Sequence, residues 1–199
     1  MDTPIIRIGT RASPLALVQA RLAATALCRA AGPGLKTEIV PITTSGDRLV
    51  ARALADEGGK GLFTKEIEEA LLQGRVDIAV HSAKDLPAAL PEGLVLAAFL
   101  KREDARDAFV SRRFRRLRDL PEGARVGTSS LRREAQLLTV RPDLKIVPLR
   151  GNVGTRLEKM SKGAAEATIL ACAGLIRLKK TRAIKERLPA SVMLSAPGQ

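Results

Sequence analysis

Val76-Asp77-Ile78-Ala79-Val80-His81-Ser82-Ala83-Lys84-Asp85-Leu86-Pro87 is the stretch of sequence around which the fold is organised. Its first half, Val76 to Val80, is a short apolar run with β-branched residues, and Gly74 precedes it. A run of this length and composition is typical of a buried strand in a parallel sheet.

The second half of the stretch is polar, with His81, Ser82, Lys84 and Asp85 packed into five residues before Pro87. Ligands of open α/β sheets bind beyond the carboxyl ends of the strands, so we expect a functional site at this loop. The alternative interpretation is structural, because an Asp shortly before a Pro is often a turn former or a helix N-cap.

Composition limits the class of protein. The 199 residues suffice for one large domain or two small ones, and 45% hydrophobic residues with a mean hydropathy of +0.01 indicate a soluble, globular chain. No apolar run approaches the roughly 20 residues that span a bilayer, and no leader peptide is evident, so we expect a cytoplasmic protein without membrane contact. Cys28 and Cys172 lie far apart in apolar surroundings, which favours buried, reduced thiols over a disulfide or a metal site.

The net charge of +13 resides in the second half of the chain. Residues 1–100 hold 11 basic and 11 acidic side chains, whereas residues 101–199 hold 23 and 10. Such an excess favours an anionic partner, and nucleic acid is the first candidate. The absence of Trp and Tyr leaves few stacking platforms for bases, so a small polyanion explains the charge at least as well. We interpret the dense basic run Arg112–Arg118 as solvated surface.

Predicted strands and helices alternate along the whole chain, which is typical of mostly parallel sheets with helices on both faces. The predicted strands are 5–9, 38–43, 76–80, 94–100, 108–111, 125–127, 145–149 and 168–171. The predicted helices are 13–31, 48–55, 63–72, 131–138 and a last one from about 174, with Gly58–Gly61 as a mobile segment. We therefore expect an α/β fold of two lobes, residues 1–100 and 101–195.

An internal echo supports two lobes. The segments 8–15 and 126–131 both run from a strand through Gly-Thr and small polar residues into a helix. Each lobe would then aim a helix N-terminus, with its unpaired N–H groups, at a shared cleft where an anion binds.

Polar and cationic side chains recur where the predicted strands end. The set comprises Arg11, Ser13, Ser82, Lys84, Asp85, Thr128, Ser129, Ser130, Arg132, Arg133, Arg150, Arg156 and Arg177. Arginine suits carboxylates because its planar fork donates two parallel hydrogen bonds. Arg132 and Arg133 stand in a first helical turn, where cations oppose the helix dipole, so an anion bound there would explain them. Among these cations we expect Asp85 to have a lowered pKa and to stabilise a transient cation or exchange a proton with it.

Five long motifs resemble one family, hydroxymethylbilane synthase, also called porphobilinogen deaminase. They are Arg7–Leu17, Gly59–Glu66, Ala79–Pro87, Val126–Arg133 and Leu149–Arg156, and they occur in the family's order. The resemblance implies two lobes like those of type II periplasmic binding proteins, an active-site cleft between the lobes, and a third, smaller domain. It also implies a transferase that joins four porphobilinogen molecules head to tail, with loss of ammonia, into hydroxymethylbilane for tetrapyrrole and haem synthesis.

The resemblance also implies roles for individual residues. Asp85 would be catalytic, stabilising cationic pyrrole intermediates and handling protons on pyrrole nitrogen. A dipyrromethane cofactor, held covalently by a cysteine outside this sequence, would be bound by Ser82, Lys84, Asp85, Thr128, Ser129, Ser130, Arg132 and Arg133. The carboxylates of porphobilinogen and its oligopyrrole intermediates would be bound by Arg11, Ser13, Gln19, Arg150, Arg156 and Arg177, with Phe63 as a lid residue. For His81 we favour a structural role.

Two departures from the family pattern affect these expectations. Residues 196–199 resemble the start of a segment that returns to the first lobe and leads to the cofactor-bearing domain, so we expect no turnover from a protein ending at Gln199. Asp56 stands where the family often has a Lys, which would weaken one cofactor contact.

Two further hypotheses remain open at this stage: a non-catalytic, two-lobed anion-binding protein, and a nucleic-acid-binding module driven by the basic half. By resemblance we expect a monomer that binds neither nucleic acid nor membrane and holds no metal.

Overall fold

The computed structural model describes residues 5–46 and 63–199. The chain divides into two compact units, Met1–Lys101 and Arg102–Gln199. We call them the first unit and the second unit.

The first unit contains a three-stranded parallel sheet. Its elements are β1 (Ile5–Arg11), α1 (Pro14–Ala31), β2 (Lys36–Ile42), α2 (Lys65–Leu72) and β3 (Ile78–Ala79), and the strand order is β2-β1-β3. Ile8 of β1 lies opposite Ile39 on one side and Ile78 on the other. Because β1 and β3 are parallel neighbours, the loop after β1 and the loop after β3 leave the sheet at the same edge.

Helix α1 begins and ends as its sequence predicts. Pro14 occupies the first turn, where a missing N–H costs nothing, and the Ser13 side chain accepts a hydrogen bond from the Ala16 N–H at 3.3 Å. Gly32, at φ 78°, follows the last turn. The buried face of α1, at Ala16, Ala20 and Ala23, carries only small apolar side chains besides Gln19.

The second unit contains a five-stranded mixed sheet. Its elements are β4 (Asp107–Ser111), β5 (Arg125–Gly127), α3 (Leu131–Val140), β6 (Lys145–Val147), α4 (Val153–Ser161), β7 (Ala167–Ala171), α5 (Cys172–Arg177) and β8 (Glu186–Arg187). The strand order is β6-β5-β7-β4-β8, with β5 parallel to β6 and β7, and β4 antiparallel to β7 and β8. Phe109, Val126, Leu137 and Ile169 are fully buried at the centre of its core.

The two Gly-Thr segments of the internal echo occupy matching places in the two sheets. A Cβ on Gly9 would lie 2.9 Å from Val76 Cγ2, and a Cβ on Gly127 would lie 2.7 Å from Leu149 Cδ2. Only glycine admits such close packing against a neighbouring strand. The following threonines, Thr10 and Thr128, are both buried.

The predicted α/β class with parallel-rich sheets is confirmed, and most predicted elements agree within a few residues. The strand predicted at 94–100 is wrong, because those residues form no regular element and Val95 and Phe99 are 84% and 71% exposed. β8 was not predicted, since two charged residues give no strand pattern. The predicted helix 48–55, the segment Gly58–Gly61 and Asp56 lie outside the described residues.

Other expectations from composition can be compared with the structure. The side chains of Arg112, Arg113, Arg115, Arg116 and Arg118 are exposed, as predicted for solvated surface. Cys172 is buried as predicted, whereas Cys28 is only half-buried, and both are unpaired thiols. Across residues 5–46 and 63–199, no helix is long and apolar enough to cross a membrane, and no three His, Cys, Asp or Glu side chains are grouped to hold a metal ion.

Candidate anion-binding sites

The loop after β3 is held rigidly against β1. The Asp77 and Val80 N–H groups donate to the carbonyls of Arg7 and Gly9, each at 2.9 Å, on either side of the short strand. The chain then forms a single 3₁₀ turn, Ala83–Asp85, in which the Asp85 N–H donates to the Ser82 carbonyl at 2.8 Å. The turn fixes the backbone of Asp85, so its carboxyl is presented at the sheet edge where the sequence predicted a site.

The electrostatics of Asp85 differ from the prediction. Asp85 is exposed to solvent, yet the protein around its carboxyl still raises its pKa by desolvation, an effect that the surrounding water limits. The positive charges of Lys84 and Arg11 lower the pKa, but by less than desolvation raises it. The predicted lowering of the Asp85 pKa is therefore wrong, because the sequence shows neighbouring charges but not how densely the loop is packed.

Two predicted site residues of the first unit contact each other directly. The Gln19 amide donates to Ser82 Oγ at 2.9 Å, and the Ser82 hydroxyl lies 3.1 Å from Gln19 Oε1. Gln19 is buried on α1, one and a half turns beyond the Ser13 cap. The pair ties α1 to the loop after β3, so both polar groups are held at one place.

Arg11 joins the other predicted residues of the first unit. Its guanidinium lies over the Phe63 ring, 4.2 Å from the centroid, within range of a cation–π interaction. His81 lies near Arg11, and burial together with this positive charge lowers the pKa of His81. His81 is therefore neutral at physiological pH, where it adds no charge to the loop.

In the second unit, the loop after β5 is built around a helix cap. Ser130 Oγ accepts from the Arg133 N–H at 3.5 Å to begin α3, and the Ser130 N–H donates to Thr128 Oγ1 at 3.1 Å. Ser129 between them is exposed. The loop thus presents one hydroxyl outward while the other two residues hold its shape.

Arg132 and Arg133 have an anionic partner within the protein. Arg133 donates from Nη2 to Asp107 Oδ1 at 2.7 Å and from Nε to Oδ2 at 3.2 Å, while Arg132 Nη2 lies 2.8 Å from Oδ2. Arg132 Nη1 also donates to the Leu194 carbonyl. The two cations that the sequence explained by a bound anion are therefore met by a buried carboxylate of the chain itself.

The remaining predicted arginines of the second unit are not paired with acids. Arg156 Nε donates to the Gly151 carbonyl at 2.7 Å, and burial together with the nearby charge of Arg133 lowers its pKa. Within the described part of the chain, Arg150, Arg156 and Arg177 form no ion pair with a carboxylate. All three are half-buried, so their guanidinium groups remain partly open to a ligand.

The structure therefore groups the predicted residues into two sets. In the first unit Gln19 contacts Ser82 and Arg11 contacts Phe63, with Asp85, Lys84 and His81 close by. In the second unit Thr128, Ser130, Arg132, Arg133 and Arg156 form a connected group. Asp107 was missed, and its only signal in the sequence was a lone acid at the start of the apolar run 108–111.

These features define a class of protein: an α/β protein of two units whose strand ends carry cationic and hydroxyl groups suited to acidic ligands. Solved structures of this fold include the L-cystine solute receptor of Neisseria gonorrhoeae, with a TM-score of 0.51 and 17% identity, covering 96% of this chain and 76% of that one. A nutrient-binding protein from Burkholderia cenocepacia, at a TM-score of 0.50 and 15% identity, covers 92% and 79%. They confirm the predicted fold class, type II periplasmic-binding-protein-like.

Sequence comparison then gives the family. The family model described as "Porphobilinogen deaminase, dipyromethane cofactor binding domain" matches residues 6–199, and the chain belongs to this family. Porphobilinogen deaminases of Caulobacter vibrioides and of Caulobacter sp. strain K31 are each 56% identical, over 98% and 100% of the chain. The chain spans 64% of the length of these relatives.

Proposed function

We propose that this chain is the part of a porphobilinogen deaminase that binds dipyrromethane and carries out the proton chemistry of porphobilinogen polymerisation. The product would be hydroxymethylbilane, a precursor of tetrapyrroles and haem. The observation that carries the proposal is Asp85, a carboxyl with a raised pKa next to Lys84 and Arg11 at the end of β3. Such a carboxyl exchanges protons at a pH closer to neutrality than an ordinary aspartate does.

The described residues fit an acidic dipyrrole. Each pyrrole unit brings two carboxylates, and Arg150, Arg156 and Arg177 offer half-buried guanidinium groups without acidic partners in the described chain. Lys84 and the exposed Ser129 offer further donors at the strand ends. Dipyrromethane would supply the growing end to which pyrrole units are joined. The residues of this chain would bind its carboxylates, orient it, and hold or move a proton at the Asp85 carboxyl.

The assignment of roles remains as the family resemblance implies. We propose Ser82, Lys84, Asp85, Thr128, Ser129, Ser130, Arg132 and Arg133 as cofactor-binding residues, and Arg11, Ser13, Gln19, Phe63, Arg150, Arg156 and Arg177 as substrate-binding residues. We further propose that residues 1–100 and 101–195 are the two lobes and that turnover needs the part of the relatives that this chain does not match. A cytoplasmic monomer that binds no nucleic acid completes the proposal.

The direct test is Asp85→Asn in the protein expressed from its complete native gene. We expect ammonia release from porphobilinogen to fall by about 10²–10⁴-fold, the range typical of losing a general acid–base group. Asp77→Asn is the matched control, because Asp77 flanks the same strand but pairs with Arg7 away from the loop.

Two outcomes would contradict the proposal. Unchanged ammonia release in Asp85→Asn would remove Asp85 from the mechanism and favour a non-catalytic anion-binding protein. Failure of the unaltered protein to carry the added mass of a covalent dipyrrole, measured by intact mass spectrometry, would contradict the cofactor assignment.

A further inference from the structure

Asp107 is a buried acid to which the function proposed above gives no task. It is the first residue of β4 and is fully buried. It is also the common partner of Arg132 and Arg133, two of the residues proposed to bind carboxylates. A charge in such a place is costly unless it is paired, and hydrophobic residues of similar volume often stabilise a core as well. Its presence therefore calls for an explanation beyond stability.

The hydrogen bonds around Asp107 use the carboxylate fully. Oδ1 accepts from Arg133 Nη2 and from the Gln199 amide at 3.0 Å, and Oδ2 accepts from Arg132 Nη2 and Arg133 Nε. The bonds to Arg133 are bidentate, which fixes the plane of its guanidinium group. These bonds also lower the pKa of Asp107, so it remains ionised at neutral pH despite its burial.

The same bonds leave part of each arginine available. Within residues 5–46 and 63–199, Arg133 Nη1 and Arg132 Nε have no hydrogen-bond acceptor. The positive charge of Arg133 lowers the pKa of Arg156, so a third guanidinium lies close by. Arg132 and Arg133 thus share one internal anion, and the group keeps a net positive charge for a ligand.

We propose that Asp107 is a positioning residue for this anion site, holding Arg132 and Arg133 so that their remaining N–H groups meet the carboxylates of an acidic pyrrole. The inference rests on the proposed function and deepens it, since it concerns how the same ligand is recognised. Rigid guanidinium groups lose less conformational entropy on binding than mobile ones, so prior orientation increases affinity. Asp107 acts through the arginines and does not itself contact the ligand.

The direction of the effect separates this role from two others. Asp107→Asn removes a negative charge, which by electrostatics alone would tighten the binding of an anion. A purely structural residue would leave the affinity of the folded variant unchanged. Only a positioning residue predicts weaker binding, because the arginines lose their fixed orientation.

The experiment is calorimetric titration of a free dipyrromethane, carrying the acetate and propionate groups of two joined pyrrole units, into the 199-residue chain and its variants, at a temperature where circular dichroism shows each to be folded. We expect Asp107→Asn to bind about tenfold more weakly, comparable to losing one charge-assisted hydrogen bond. Asp104→Asn is the matched control, because Asp104 also pairs with two arginines of this unit, Arg106 and Arg187. Its affinity should equal that of the unaltered chain. Equal or tighter binding by folded Asp107→Asn would overturn the inference.

A second measurement tests the proposal on the unaltered chain, in case Asp107→Asn does not fold. In the unaltered chain, the NMR signals of the arginine Nε–H groups should include a protected one for Arg133, and the free dipyrromethane should shift those of Arg132 and Arg133. Binding that shifts neither signal overturns the role of Asp107 and leaves the proposed function intact. No binding by the unaltered chain at all contradicts the proposed function of this chain instead.

Discussion

The two aspartates that flank β3, Asp77 and Asp85, have pKa values shifted in opposite directions by their surroundings. Asp77 accepts hydrogen bonds from the Arg7 backbone N–H and guanidinium, which lower its pKa to about 2. Asp85, six residues after the end of β3, has a raised pKa because the surrounding protein desolvates its carboxyl. The hydrogen bonds of Asp77 stabilise the folded state, whereas the desolvation of ionised Asp85 destabilises it. Groups whose pKa is shifted by desolvation are typical of functional sites.

The two aspartates therefore predict opposite effects on stability. Because the folded pKa of Asp85 is raised, its ionisation opposes folding above that pKa, and the penalty disappears once pH falls below the unfolded value of about 3.8. We expect Asp85→Asn to be more stable than the unaltered chain at pH 7, with a difference that shrinks as pH falls towards 4. Urea unfolding at several pH values measures this.

Asp77→Asn is expected to do the reverse. The lowered folded pKa means that ionised Asp77 adds stability above the unfolded value, and this contribution is lost as pH falls from about 3.8 towards 2. The variant should therefore be less stable than the unaltered chain at pH 7, and the two should converge in acid. If both variants shifted stability in the same direction at pH 7, the assignment of desolvation to Asp85 would be wrong.

At the scale of elements, the close packing of β1 against Val76 depends on Gly9. A methyl group there would lie 2.9 Å from Val76 Cγ2 and 3.3 Å from Cγ1. Gly9→Ala should lower the free energy of unfolding by about 1–3 kcal/mol through overpacking. In Gly9→Ala/Val76→Ala the clash is removed, so the double variant should be more stable than the sum of the two single changes predicts. Additive losses in a double-mutant cycle of denaturant unfolding would contradict the packing seen here.

Sequence reasoning succeeded for elements with strong local signals. The Pro14 start and Gly32 end of α1, and the Gly-Thr segments at the ends of β1 and β5, are encoded by residues a few positions apart. It failed for 94–100, where an apolar run suggested a strand but no neighbouring strand pairs with it in the described chain. It also missed Asp107, since a buried ion pair joins residues 25 and 26 positions apart, and no local pattern reports such a contact.

The candidate site was predicted in its composition but not in its electrostatics. The cationic groups were visible in the sequence because each lies within a few residues after an apolar run that predicts a strand. The partner of Arg132 and Arg133, and the raised pKa of Asp85, depend on the density of packing around a group. Burial of that kind is set by the whole fold, so charge counting along the chain gave the wrong direction for Asp85.

At the scale of the whole molecule, the charge is unevenly shared. The net +13 belongs to the half that forms the second unit, and many of its basic side chains are exposed, including the run Arg112–Arg118. Self-repulsion of this kind opposes folding at low ionic strength and weakens as salt screens it, with a Debye length of about 8 Å at physiological salt. We expect the thermal midpoint of unfolding to rise with added sodium chloride, and a multivalent anion to raise it further at equal ionic strength. A midpoint that falls with either salt would show that ion pairs outweigh repulsion.

The paired Gly-Thr strand ends have one more consequence. In both units a closely packed glycine, Gly9 within β1 and Gly127 at the end of β5, lies one or two residues before the first residue of the candidate site. The close packing therefore fixes the backbone just before the site residues begin, independently of which side chains follow. In such a scaffold, side chains of the loops can be replaced during evolution, changing which ligands are bound, while the strands that support the loops stay the same.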